Sequence, residues 1–103
     1  MNKTRVHFSL ISMSLLLLTA SGAYAADVSA GSVTATQCAI CHGANGEGNG
    51  IPGSSIVGMD ADTFKKHLHD FKSGARKNVM MERFAKRLSD QDIENLAAYY
   101  ASK

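Results

Sequence analysis

The sequence predicts an all-α fold, and three observations carry that prediction. Apolar residues recur at helical spacing in two stretches: Phe64, Leu68 and Phe71 in one, and Ile93, Leu96, Ala97 and Tyr100 in the other. Acidic and hydroxyl residues stand where helix starts need acceptors for free amides. No segment alternates with the period of two that marks a half-buried strand.

The first element lies outside that fold. Lys3 and Arg5 precede an almost wholly apolar run from Phe8 to Ala20, centred on Leu15, Leu16, Leu17 and Leu18. Ala23-Tyr24-Ala25 then offers small residues at the two positions a signal peptidase reads. Residues 1–25 are therefore expected to be a cleaved secretory signal peptide, and the product is expected in the periplasm. The apolar run is too short to span a bilayer comfortably, so no stable membrane span is expected after cleavage.

Residues 26–103 are expected to form one domain. They hold nine Lys plus Arg against nine Asp plus Glu, a near-neutral balance that gives no footprint for nucleic acid. A domain of this size buries little surface and needs a staple. Both cysteines, Cys38 and Cys41, lie in one tetrapeptide and could close only a tiny loop. A large apolar cofactor would do the stabilising instead.

Asp27 to about Ala39 reads as a helix with Asp27 as its cap and Val28, Gly31, Ala35 and Ala39 on one face. Gly43 to Gly58 carries six glycines and the only proline, Pro52, and reads as a long loop wrapped round something functional. A second helix is expected over Ala61–Ser73, capped by Asp60 or Asp62 and ended by Gly74. Asn78 to Lys86 reads as part loop and part short helix. The last helix starts at Ser89-Asp90-Gln91-Asp92, an acidic variant of the capping box, with Tyr99 at the edge of its buried stripe.

The chemistry sits in Cys38-Ala39-Ile40-Cys41-His42, the C-x-x-C-H signature of covalent haem c attachment. Two thiols three positions apart reach the two vinyl groups on one porphyrin edge, and the next residue falls beneath the iron. His42 would bind iron through Nε2 and leave Nδ1–H for a backbone carbonyl of the Gly-rich loop. A thioredoxin-like pair would need a βαβ frame, which is not visible. Zinc would need two further ligands, and His67 and His69 stand two apart on a helix. A plain disulfide leaves His42 unexplained.

The second axial ligand must come from Met59, Met80, Met81, His67 or His69. Met59 reads as packing. Met80 and Met81 lie far enough along the chain to return past the haem edge, and spacing alone leaves both open. A thioether donor would raise the potential relative to a second histidine. Arg76 and Lys77 either meet a haem propionate or stay solvated. Lys65, Lys66, Lys72, Lys86 and Arg87 read as a solvated face, with a docking patch as the alternative.

Residues 26–103 resemble a class I c-type cytochrome of the short bacterial cytochrome c-553 type over nearly their whole length. The matching pieces are Cys38-Ala39-Ile40-Cys41-His42-Gly43, Asn45-Gly46, Gly58, Phe71-Lys72-Ser73-Gly74, Met80-Met81, Leu88-Ser89-Asp90-Gln91-Asp92-Ile93 and Leu96-Ala97-Ala98-Tyr99. The resemblance implies a small class I cytochrome c fold whose first and last helices cross and whose helices wrap one haem c. It chooses Met81, seven residues before Leu88, as the ligand opposite His42. It places Gly31 against Tyr99 or Tyr100. Where such relatives carry a loop proline this chain has Ser54, and the carbonyl orienting His42 is expected near Ile51 or Pro52. Thr34 stands where they carry a bulky residue, leaving Val33 or Val28 to pack there.

The resemblance implies an electron carrier, not an enzyme, that cycles between Fe(III) and Fe(II) and meets redox protein partners. The stretch from Phe71 to Arg76 and beyond is also similar to the small haem subunit of flavocytochrome c sulfide dehydrogenases, which implies a flavoprotein partner as the alternative. A peroxidase or gas sensor would need an open sixth position, which the Met80-Met81 pair argues against.

Overall fold

The computed structural model describes residues 25–103; the proposed leader, all but its last residue, lies outside them. Every regular element among the described residues is helical. They run as α1 (Val28–Thr34), a 3-10 turn (Ala35–Gln37), α2 (Ala39–His42), α3 (Ala61–Ser73), α4 (Val79–Ala85) and α5 (Asp90–Ala101). None is long and apolar enough to cross a membrane.

The single first helix expected from Asp27 to Ala39 is broken. Asp27 caps α1 by accepting from the Ala30 amide at 3.1 Å, as expected. Then Thr34 Oγ1 donates to Ala30 O at 3.2 Å and Thr36 Oγ1 to Val33 O at 2.8 Å. Hydroxyls that bond back to the preceding turn bend a helix, and the β-branched Val33 and Thr34 add crowding. The chain tightens into the 3-10 turn and then re-enters α2, which carries Cys41 and His42.

The other helices follow their local signals. Asp60, not Asp62, caps α3 by accepting from the Thr63 amide, and Gly74 ends it in the left-handed conformation. Asn78 caps α4 through the Met81 amide at 3.0 Å. Ser89 and Asp92 exchange bonds in a complete capping box at the start of α5.

The core joins Phe64, Leu68 and Phe71 of α3 to Ile93, Leu96, Ala97 and Tyr100 of α5. Phe64 and Tyr100 meet with ring centroids 5.5 Å apart. Helices α1 and α5 cross at Gly31, where an added Cβ would lie 2.2 Å from Asn95 O and 2.9 Å from Tyr99 Cβ. Tyr99, not Tyr100, is the aromatic residue at this crossing. Val28 and Val33 are both exposed, so neither does the packing expected of them.

Candidate functional site

The helices and the loop line a half-open cavity of about 540 Å³, well within the range of cofactor sites. Its wall is largely apolar and includes Ile56, Phe64, Leu68, Phe71, Leu96 and Tyr100. An apolar wall of this extent suits a large apolar occupant. Cys38, Cys41, His42, Met80 and Met81 all line it. Helix α2 with the residue before it supplies the first three, and the first turn of α4 supplies the methionines.

The imidazole is oriented by the loop. His42 Nδ1 lies 2.6 Å from Ser54 O. A carbonyl oxygen only accepts, so Nδ1 carries the proton and Nε2 keeps the lone pair. The orienting carbonyl is therefore that of Ser54, not one at Ile51 or Pro52. Ser54 is itself held in a turn, its amide and hydroxyl both donating to Ile51 O. Gly46 lets the loop fold against the core: a Cβ there would meet the Tyr100 ring at 2.8 Å, and its φ is +81°.

Met81 is half-buried and packs on the core, whereas Met80 is 52% exposed. Met59 is also half-buried against the core. His69 is exposed. His67 lines the cavity edge, with Nδ1 2.8 Å from Arg76 Nη1. Arg76 lines the cavity too and stacks 4.8 Å from the Phe71 ring centroid. Lys77 turns to Glu82 at 3.9 Å.

Cys38 and Cys41 are free thiols, the first half-buried and the second exposed. Burial pushes the Cys38 thiol up, against a smaller lowering by Tyr100. The Tyr100 hydroxyl is buried and finds no nitrogen or oxygen partner among the described residues. Burial first, and then the neighbouring Cys38, drive its ionisation far above the ordinary phenol range.

One structural residue was not legible beforehand. Asn95 is buried on α5, and its Oδ1 accepts from the Asp27 amide at 2.8 Å and from Gln91 Nε2 at 2.9 Å. It ties the start of α1 to α5. Its polarity and its place between apolar neighbours gave no sign of that role.

A large apolar cavity, two thiols and an imidazole with its lone pair free form a donor set suited to a covalently held porphyrin iron. The comparisons agree. The family model described as cytochrome C oxidase, cbb3-type, subunit III matches residues 26–99. The chain is 45% identical over 85 residues to cytochrome c-553 of Helicobacter pylori, covering 82% of this chain and 85% of that one. It is 37% identical over 95 residues to cytochrome c4 of Pseudomonas aeruginosa, covering 91% of this chain but only 47% of the relative. It is 32% identical over 74 residues to the cytochrome subunit of sulfide dehydrogenase of Chlorobaculum tepidum, covering 72% of this chain and 66% of the other. The chain thus belongs to the c-type cytochrome family that the cbb3-type subunit III model describes, a family of haem c electron-transfer proteins.

Proposed function

We propose that this chain is a periplasmic single-haem carrier of electrons, exported by residues 1–25 and cleaved after Ala25. In this reading Cys38 and Cys41 would hold the haem through two thioether bonds, and His42 Nε2 and Met81 Sδ would bind its iron. The observation that carries the reading is the bond from His42 Nδ1–H to Ser54 O at 2.6 Å. It fixes the ring and leaves one lone pair, on Nε2, for a metal.

Bound haem supplies a one-electron Fe(III)/Fe(II) couple. The chain's own residues set its environment. Phe64, Leu68, Phe71 and Leu96 keep water from the cavity wall. The Ser54 carbonyl makes the imidazole a stronger donor. Asn78 holds the first turn of α4 through the Met81 amide and so steadies the thioether. Burial of Met81 and exposure of Met80 favour Met81 as the ligand. No residue is assigned to catalysis; any catalysis belongs to a partner.

The test is the weak far-red sulfur-to-iron band of the oxidised protein. It should survive Met80→Ala and vanish in Met81→Ala. The reverse pattern overturns the assignment of Met81.

A second reading makes the chain a permanent subunit that accepts electrons from a flavoprotein. The similarity to a sulfide dehydrogenase cytochrome subunit favours it. Equimolar co-purification with a flavoprotein from periplasm would establish it; isolation as a free monomer would reject it.

A further inference from the structure

The charged side chains of residues 25–103 sum to zero, but they are not mixed. Residues 72–87 hold six cations (Lys72, Arg76, Lys77, Arg83, Lys86 and Arg87) against one anion, Glu82, a net of +5. The remaining described residues hold three cations and eight anions, a net of −5. The basic stretch is the part of the chain that walls the cavity through Arg76, Asn78, Met80, Met81 and Phe84.

Local pairing does little to quench this charge. Elsewhere two of the three cations are matched: Lys65 meets Asp62 and Glu94, and Lys66 meets Asp70, while Lys103 stacks over the Tyr99 ring. Within 72–87 the one ion pair among the described residues is Lys77 with Glu82 at 3.9 Å. Lys72 is pinned to the Leu88 carbonyl, while Arg83, Lys86 and Arg87 are exposed. Beside them stand two bare apolar side chains, Val79 at 71% and Met80 at 52% exposure.

Exposed apolar groups bordered by like charges are the anatomy of a partner surface. A field of one sign steers a partner of the other sign, and it acts locally because salt screens it within about 10 Å at ~0.1 M. We propose that α4 and the turn before it, at the rim of the cavity, dock an acidic patch on a redox partner protein. Val79 and Met80 form the dry centre, flanked by Arg76, Lys77, Arg83 and Lys86. The proposal rests on the reading that the cavity holds the haem, since this stretch is then the electron's exit.

The test uses the reduced holoprotein and charged one-electron oxidants in stopped flow. In each reaction the protein's Fe(II) becomes Fe(III), while hexacyanoferrate(III) or tris(phenanthroline)cobalt(III) is reduced to its divalent-metal form. With the anionic cyanide complex the rate constant should fall about threefold or more from low to high salt, and with the cationic cobalt complex it should rise. A small acidic blue-copper protein should behave like the cyanide complex. The double variant Arg83→Glu/Lys86→Glu should flatten or reverse these slopes with its haem spectrum unchanged.

Two propionates make the whole holoprotein slightly acidic, so slopes set by overall charge would have the opposite signs and would overturn the proposal. Unchanged slopes in the double variant would do the same. Low-salt self-association, or binding to anionic vesicles, that the variant abolishes while the copper protein's rate stays unaffected would assign the face to another occupant and reject the acidic partner. Failure of the haem reading shows earlier and separately, as purified protein without haem absorbance.

Discussion

Replacing Gly31 by alanine sets two effects of opposite sign against each other. In an exposed helix the change would stabilise by about 1 kcal/mol, because alanine is the better helix former. At this position the new methyl would lie 2.2 Å from Asn95 O, 2.8 Å from Asn95 C and 2.9 Å from Tyr99 Cβ. Two of those atoms are backbone of α5, so no side-chain rotation relieves the clash. Ordinary carbon–oxygen contacts are about 3.3 Å or longer, so α1 and α5 must part by roughly 1 Å. Overpacking of this kind costs about 1–3 kcal/mol, and the upper end applies where the obstacle is backbone. The parting also stretches the bond from the Asp27 amide to Asn95 Oδ1 at 2.8 Å. The net expectation is a loss of about 2 kcal/mol, or a fall in Tm of roughly 8–16 °C for a domain this small. Thermal unfolding of the holoprotein by far-ultraviolet circular dichroism reads it directly. A Tm equal to or above wild type would show that the helices do not cross at Gly31 and would refute the packing argument.

Two further outcomes follow from buried polar groups. Asn95→Ala leaves the Asp27 amide without its acceptor and should lower stability by about 1–3 kcal/mol, seen as a lower urea midpoint at unchanged slope. Tyr100 has a folded-state ionisation raised above that of the unfolded chain. Its contribution to stability is therefore complete below the ordinary phenol value of about 10 and is lost as pH rises beyond it. The stability difference between wild type and Tyr100→Phe should stay constant below that point and move against wild type above it; a constant offset through alkaline pH would contradict the sign.

The fold was legible where one local signal decided one element. The stripe Phe64, Leu68 and Phe71, an acidic cap at Asp60 or Asp62 and the glycine stop at Gly74 placed α3 at Ala61–Ser73, and only the choice of Asp60 waited for the structure. Ser89 and Asp92 likewise marked the start of α5. Legibility failed where competing bonds decided. The break after Thr34 depends on hydroxyls bonding back to carbonyls, which the apolar spacing of Val28, Gly31 and Ala35 does not report. At the site, the C-x-x-C-H pattern located three lining residues, and the resemblance chose between two adjacent methionines. The Ser54 carbonyl escaped because any residue carries a carbonyl, and only the path of the loop decides which one reaches His42. The place of His67 at the cavity edge beside Arg76 escaped because helical spacing alone does not report where the rim of the cavity falls.

The most direct test of the account is the mass of the protein purified from the periplasm of cells competent in haem attachment. The account predicts the mass of residues 26–103 plus one haem, held through denaturation because both Cys38 and Cys41 are bonded to it. A denatured mass equal to the bare polypeptide, with both thiols free to react, would contradict it.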